Sequence, residues 1–196
     1  MDATGAALGL LLLSPVLAVI AVAIKLDSRG PVFFRQARLG RRMEEFTVMK
    51  FRTMKFDASP ELHRAYIAKL AAGQADEDEL KKLTKDPRVT RVGALLRRTS
   101  LDELPQLINV LRGDMSLVGP RPLPERDFAR LEEWHKKRYL VMPGMTGLWQ
   151  VSGRSELDFD ELVRLDFLYL ERWSVFLDLS ILLKTVPAVL MRKGAF

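Results

Sequence analysis

The chain has 196 residues, a net charge of +6, 48% hydrophobic residues and no cysteine. It is long enough for one domain, or one domain with appendages, and its charge points to an anionic partner such as lipid headgroups, a nucleotide or nucleic acid. Disulfides, thiolate metal sites and a thiol nucleophile are excluded, no glycine-rich dinucleotide or P-loop motif is present, and the two histidines, His63 and His135, lack the carboxylate spacing of a zinc site.

Ala3 to Ile24 carries no charge over 22 residues, enough to cross a bilayer as a helix. Ser14-Pro15 lies near its middle, where proline removes a backbone hydrogen bond and a kink is expected. A signal peptide would begin with positive charge, whereas Asp2 is the only early charge. Composition alone favours a plain span over a broken, re-entrant helix, because a break needs protein cover for its freed backbone groups. Lys25, Arg29, Arg35, Arg38, Arg41 and Arg42 follow and place this side at the cytoplasmic surface.

Val32–Phe34 and Phe46–Phe51 read as short strands, with Gly40-Arg41-Arg42 suited to the turn between them. Lys50 and Arg52 close the second strand. Ser59-Pro60-Glu61 starts a helix that Gly73 ends, and Asp86-Pro87 breaks the chain. Val89, Val92, Leu95 and Leu96 suggest a helix leading to Arg97 and Arg98, which by themselves read as solvent-facing charges.

Two adjacent carboxylates, Asp102 and Glu103, come next. Ser100 to Glu103 has the spacing of a capping box, but Pro105 lacks an N–H, so the helix that Leu104, Leu107, Ile108 and Leu111 outline begins at one place or the other, with Gly113 as its stop. Neighbours on a helix point in different directions. The pair therefore suits a division of labour, one carboxylate as nucleophile and the other assisting or binding metal, rather than a symmetric acid/base couple. Val118-Gly119-Pro120-Arg121-Pro122 is stiff and extended, which lowers the entropy lost when Arg121 grips an anion.

Pro124 to Leu140 reads as a charged helix with Phe128, Leu131 and Trp134 buried. Pro143–Gly147 reads as a loop, Leu148–Val151 as a strand, and Ser152-Gly153-Arg154 as a turn carrying a cation. A helix runs from Asp158 to about Arg172, and Trp173–Met191 suits an interfacial helix or one packed on the core. Two bland alternatives stand: a basic nucleic-acid-binding module, against which the apolar N-terminal run counts, and a non-catalytic membrane scaffold.

The run from Ser100 to Pro122, with Lys50-Phe51-Arg52-Thr53-Met54 upstream and Pro143-Gly144-Met145-Thr146-Gly147-Leu148-Trp149-Gln150-Val151-Ser152-Gly153-Arg154 downstream, resembles the bacterial sugar transferases, the monotopic polyprenyl-phosphate phosphoglycosyl transferases. The likeness is greatest to the catalytic domain of the larger undecaprenyl-phosphate hexose-1-phosphate transferases, and this chain reads as a possible excised domain of such a protein. The resemblance implies an α+β, mostly helical fold. It implies a kinked re-entrant membrane helix over 1–26, broken at Ser14-Pro15, and a catalytic domain over 27–196 with a small strand pair and surface helices at the membrane interface. It implies transfer of a sugar 1-phosphate from a UDP-sugar to undecaprenyl phosphate, with Mg²⁺, at the cytoplasmic face of the bacterial inner membrane, by a chain that is a possible homodimer and binds no nucleic acid. Asp102 becomes the nucleophile, Glu103 the assisting group, the pair the metal site, and Lys50, Arg52, Arg97, Arg121 and Arg154 the substrate-binding cations.

Overall fold

The computed structural model describes residues 1–56, 86, 88–123, 131–152 and 159–190. The helix expected after Ser59, together with Phe128 and Arg154, lies outside them. Helix α1 spans Asp2–Asp27, passes through Pro15 without an assigned break, and is long and apolar enough to cross a membrane. Pro15 leaves the carbonyl of Leu11 without its helical donor. The Ser14 hydroxyl supplies one, donating to Leu11 O at 2.8 Å. In an apolar surrounding that bond offsets the cost of a bare carbonyl.

One side of α1 is covered along its length. Ala6, Leu10 and Leu13 pack against Val48, Leu107, Val110 and Met115. Leu17, Ile20, Ala21 and Ile24 pack against Phe51, Val92, Leu96 and Leu101. At the two ends, Asp2 accepts from Leu117 N at 3.4 Å and Asp27 from Val92 N at 2.9 Å. The other side is bare: Leu11, Leu12 and Leu26 are 70%, 75% and 83% exposed.

Strands β1 (Phe33–Leu39) and β2 (Glu45–Phe51) form the expected antiparallel hairpin, with Phe33 opposite Phe51 and Leu39 opposite Glu45. Its tip is a 3₁₀ turn at Arg41–Met43, with positive φ at Arg42 and Met43. Helix α2 (Arg91–Thr99) is capped by the Thr90 side chain and ends at Ser100, which adopts φ 54°. No capping box forms at Ser100, because that residue closes α2 instead of opening the next helix. A 3₁₀ turn, Leu101–Glu103, follows, and helix α3 (Gln106–Arg112) starts directly after Pro105. The second of the two sequence alternatives is the one adopted.

Asn109 of α3 is fully buried and clamps the free edge of β2. It accepts from Met49 N at 3.0 Å and donates to Thr47 O at 2.7 Å, as a third strand would. Strand β3 (Ser116–Val118) pairs in parallel with β4 (Gly144–Thr146). That pairing replaces the strand expected at Leu148–Val151, which is helix α4 (Leu148–Ser152). The reason is the glycine pair at the crossing: a Cβ on Gly144 would lie 2.1 Å from Gly119 N. The backbones meet there, and Leu148 and Val151, one helical turn apart, then pack on Val118, Tyr169 and Ile181.

Residues Glu133–Leu140 form a 3₁₀ helix whose buried side is His135, Arg138 and Tyr139. The expected apolar face of Leu131 and Trp134 is only half-buried, because the tighter winding turns different residues inward. Helices α5 (Phe159–Glu171) and α6 (Val175–Leu190) complete the fold. The outer side of α6 carries Phe176, Leu183 and Val186, all exposed. The whole is mostly helical α+β with small strand pairs and one apolar N-terminal helix.

Replacing Asn109 by leucine keeps the volume but strips a buried N–H and a buried C=O of β2 of their partners. We expect a stability loss of about 2–4 kcal/mol in urea unfolding, on the scale of unsatisfied buried polar groups.

Candidate functional site

Two separate segments bring cations onto Glu103. Lys50, near the end of β2, places Nζ 2.7 Å from Glu103 Oε1. Arg121, between its two prolines, donates Nη1 to Oε2 at 3.0 Å and Nη2 to Oε1. Both carboxylate oxygens are thus held by cations, in the forked geometry that suits arginine. Burial alone would raise the Glu103 pKa. The charges of Arg121 and Lys50, and their hydrogen bonds, outweigh burial and hold it well below the usual carboxylate range. Burial lowers the Lys50 pKa against the pull of Glu103, and Glu103 raises that of Arg121.

Asp102 is the opposite case. It accepts no hydrogen bond from any described side chain. Burial, and then the neighbouring Glu103 charge, push its pKa up to about 6, with Lys50, Arg121 and Arg97 opposing. The sequence-adjacent pair is therefore split into a locked carboxylate and an open one.

Arg97 faces this site from α2, whereas Arg98 is exposed. The Arg97 Nε donates to Thr53 Oγ1 at 2.9 Å. Helix α2 sits close on the Thr53 backbone because Gly93 leaves room: a Cβ there would stand 2.0 Å from Thr53 O. Burial lowers the Arg97 pKa, with the charge of Asp102 opposing. Arg52 is placed differently. It is 5% exposed, and its guanidinium donates to Ser28 O at 2.8 Å and to Arg29 O, tying β2 to the end of α1. Ser14 and Pro15 lie on α1 as described.

Among the described residues no cluster of three or more histidine or carboxylate groups could hold a metal ion. Glu103 does not fit as a ligand in this arrangement, since both its oxygens already face cations. Asp102 fits as a single carboxylate donor, which is enough for Mg²⁺ when phosphate oxygens and water complete its shell. A cleft of about 310 Å³ between the hairpin tip and Gly113-Asp114 includes none of the predicted site residues.

Sequence reasoning missed Thr53, Asn109, Arg138 and Asp166. Asp166 had a readable signal. It shares a helical face with Val163 and Tyr169, all three buried in α5, and a carboxylate on such a face needs a partner. The partner is Arg138, at 2.6 Å, with both side chains 1% exposed.

An open carboxylate among cations, on a body whose described residues include one helix long and apolar enough to cross a membrane, is an arrangement suited to anionic groups. The chain belongs to the bacterial sugar transferase family, whose model matches residues 1–192. It is 43% identical over its whole length to an uncharacterized sugar transferase of Haemophilus influenzae, and covers 41% of that protein. It is 40% identical to the exopolysaccharide production protein ExoY of Rhizobium meliloti, covering 86% of it. It is 42% identical to the UDP-glucose:undecaprenyl-phosphate glucose-1-phosphate transferase of Escherichia coli, covering 40% of it. The chain thus spans about two fifths of the length of the longer relatives and most of the shorter one.

The raised Asp102 pKa has a definite sign in stability. The folded state binds this proton more tightly than the unfolded chain, so the ionised carboxylate destabilises the fold above about pH 6 and not below pH 3.8. Asp102→Asn is expected to be more stable than wild type by about 1 kcal/mol at pH 8, after discounting for partial exposure. Thermal melts across pH should show the advantage shrinking as pH falls through 6. A variant less stable at pH 8 contradicts the assignment.

Proposed function

We propose that the chain transfers a sugar 1-phosphate, a hexose in the first instance, from a UDP-sugar to undecaprenyl phosphate through a covalent intermediate on Asp102. The observation that carries this reading is the split pair: Glu103 is locked by Lys50 and Arg121, while Asp102 beside it has no hydrogen-bond partner among the described residues and a pKa pushed up to about 6. The names of the Escherichia coli relative and of an undecaprenyl-phosphate galactose phosphotransferase of Salmonella typhimurium, 42% identical, support the substrate classes.

A carboxylate with that pKa is ionised at neutral pH yet more basic than a free aspartate, which favours it as a nucleophile. An Asp102 oxygen attacks the sugar-bearing phosphorus of the donor. The bond to the bridging oxygen breaks, and UMP leaves with the electron pair. A phosphate oxygen of the lipid then attacks the same phosphorus and displaces the carboxylate. Repulsion between the nucleophile and the diphosphate is the main obstacle. Among the described residues Lys50 and Arg121 keep unused N–H groups and Arg97 engages only its Nε, so all three can hold phosphate oxygens. Glu103 keeps Lys50 and Arg121 in place between turnovers. Asp102 would be the residue to hold Mg²⁺, which when bound would supply further charge neutralisation.

Wild type with a UDP-sugar and no lipid should release one UMP per active site in a burst and gain the mass of a hexose phosphate on Asp102; Asp102→Asn should do neither. Above about pH 6 the burst rate should level off, and it should fall tenfold per unit well below it. Turnover with lipid but no burst and no adduct would show direct transfer between substrates and remove Asp102 as nucleophile.

The same reading places α1 as a re-entrant helix. Both of its halves, and both of its ends through Asp2 and Asp27, are held by one globular body, while its other side is bare and apolar. A plain span would carry its far end away from that body. The exposed apolar side of α6 fits an interfacial position. Because the chain has no cysteine, Asp2→Cys and Ser28→Cys can be made singly. Both should react with an impermeant maleimide from the same side of a sealed vesicle; labelling from opposite sides contradicts the re-entrant arrangement.

A further inference from the structure

Arg121 is useful only if its guanidinium is held where Glu103 and an incoming phosphate can share it. Every residue of the segment that carries it is tied down through its main chain. Val118 O accepts from the Tyr169 hydroxyl at 3.2 Å. Gly119 N donates to Thr146 O and Pro120 O accepts from Gly144 N, each at 2.9 Å. Pro122 O accepts from Arg38 Nη1 at 2.8 Å. Arg121 O itself accepts from Arg138 Nη2 at 2.8 Å.

Arg138 is an unusual donor for that carbonyl. It is 2% exposed, and its charge is matched by Asp166 on α5, whose Oδ2 lies 2.6 Å from the same Nη2. Asp166 and Tyr169 stand three residues apart on one face of α5. That face therefore holds the segment at two places: at Val118 directly through Tyr169, and at Arg121 through Arg138. A buried ion pair is not a good way to add stability, since desolvation offsets most of its attraction, and apolar residues of similar volume often do as well. Its presence directly behind the Arg121 carbonyl calls for another reason.

We infer that the buried Asp166–Arg138 pair is a positioning device for Arg121, acting through the carbonyl of Arg121 to aim its guanidinium at Glu103 and at the phosphates of the donor. Arg138 touches neither substrate nor Asp102 in this account. Asp166 orients Arg138, Arg138 fixes the Arg121 backbone, and the stiff Pro120-Arg121-Pro122 geometry passes that placement to the side chain. The inference rests on the reaction proposed above for its kinetic consequence, and on the contacts alone for its structural one.

The test is a cycle between the pair and Arg121. Arg138→Met alone would leave Asp166 buried without a partner, so the informative variant is Arg138→Met/Asp166→Leu, which removes both charges together. It is expected to melt cooperatively near wild type. Its UMP burst rate at saturating donor should fall ten- to a hundredfold. In an Arg121→Met background the same double change should cause less than a twofold further loss, because the residue it positions is gone. Additive loss, or a double variant with the wild-type burst, overturns the inference. Arg138→Lys, which keeps a cation against Asp166 but loses the guanidinium fork, is run in the same cycle in case the double variant does not fold. If neither variant folds, the pair is a folding element and the inference fails.

A second readout needs no turnover. The guanidinium nitrogens of Arg121, held on Glu103, should give exchange-protected ¹⁵N resonances in wild type and lose that protection in the folded pair variants. Retained protection overturns the inference. Absence of UMP release by wild type would instead count against the proposed reaction, leaving the resonance experiment to decide the positioning role.

Discussion

The ion-paired carboxylate of Glu103 is the constraint around which this structure is arranged. It draws Lys50 from a strand and Arg121 from a proline-bounded segment onto one turn between two helices. Without it, two buried or half-buried cations would face each other with nothing between them. With it, they form a fixed positive floor, and the neighbouring Asp102 is left without a hydrogen bond among the described residues. The difference between two adjacent acids thus comes from how many donors reach each one.

The scaffolding around this site explains the unusual number of charged and polar groups in the interior. Asn109 imitates a strand against β2 and so sets where Lys50 stands relative to the Glu103 turn. Gly93 lets α2 approach Thr53, which in turn holds Arg97. Arg52 fastens the end of β2 to the end of α1. The Asn109 and Arg52 contacts satisfy backbone groups that would otherwise be buried bare, and all three contacts fix a cation or the element that carries one. Stability and site geometry therefore depend on the same contacts, and single polar substitutions should disturb both.

In the function proposed above, helix α1 joins this site to the lipid surface. Its inner side packs on α3 and β2, the elements that flank Glu103 and carry Lys50, while its outer side is a continuous apolar strip. A site fixed in that way stays at a constant depth relative to the bilayer. That constancy suits the proposed reaction between a water-soluble nucleotide sugar and a phosphate anchored by a polyprenyl chain.

Local chemistry was legible in the sequence. The uncharged N-terminal run, the hairpin and the stiffness around Arg121 follow from residue types and spacings that act over a few positions, which also narrowed the start of α3 to two places. The order of motifs along the chain also pointed to the family. What the sequence could not show was which charges meet. Lys50 and Glu103 are 53 residues apart, and no local rule distinguishes Lys50, which reaches Glu103, from Arg52, which turns to the carbonyls of Ser28 and Arg29. The strand expected at Leu148–Val151 became a helix because pairing was decided by the close approach of Gly119 and Gly144, a contact between distant segments. The unequal fates of Asp102 and Glu103 were settled by tertiary structure for the same reason: a pKa depends on burial and on charges brought from elsewhere in the chain, and only the folded backbone determines those distances.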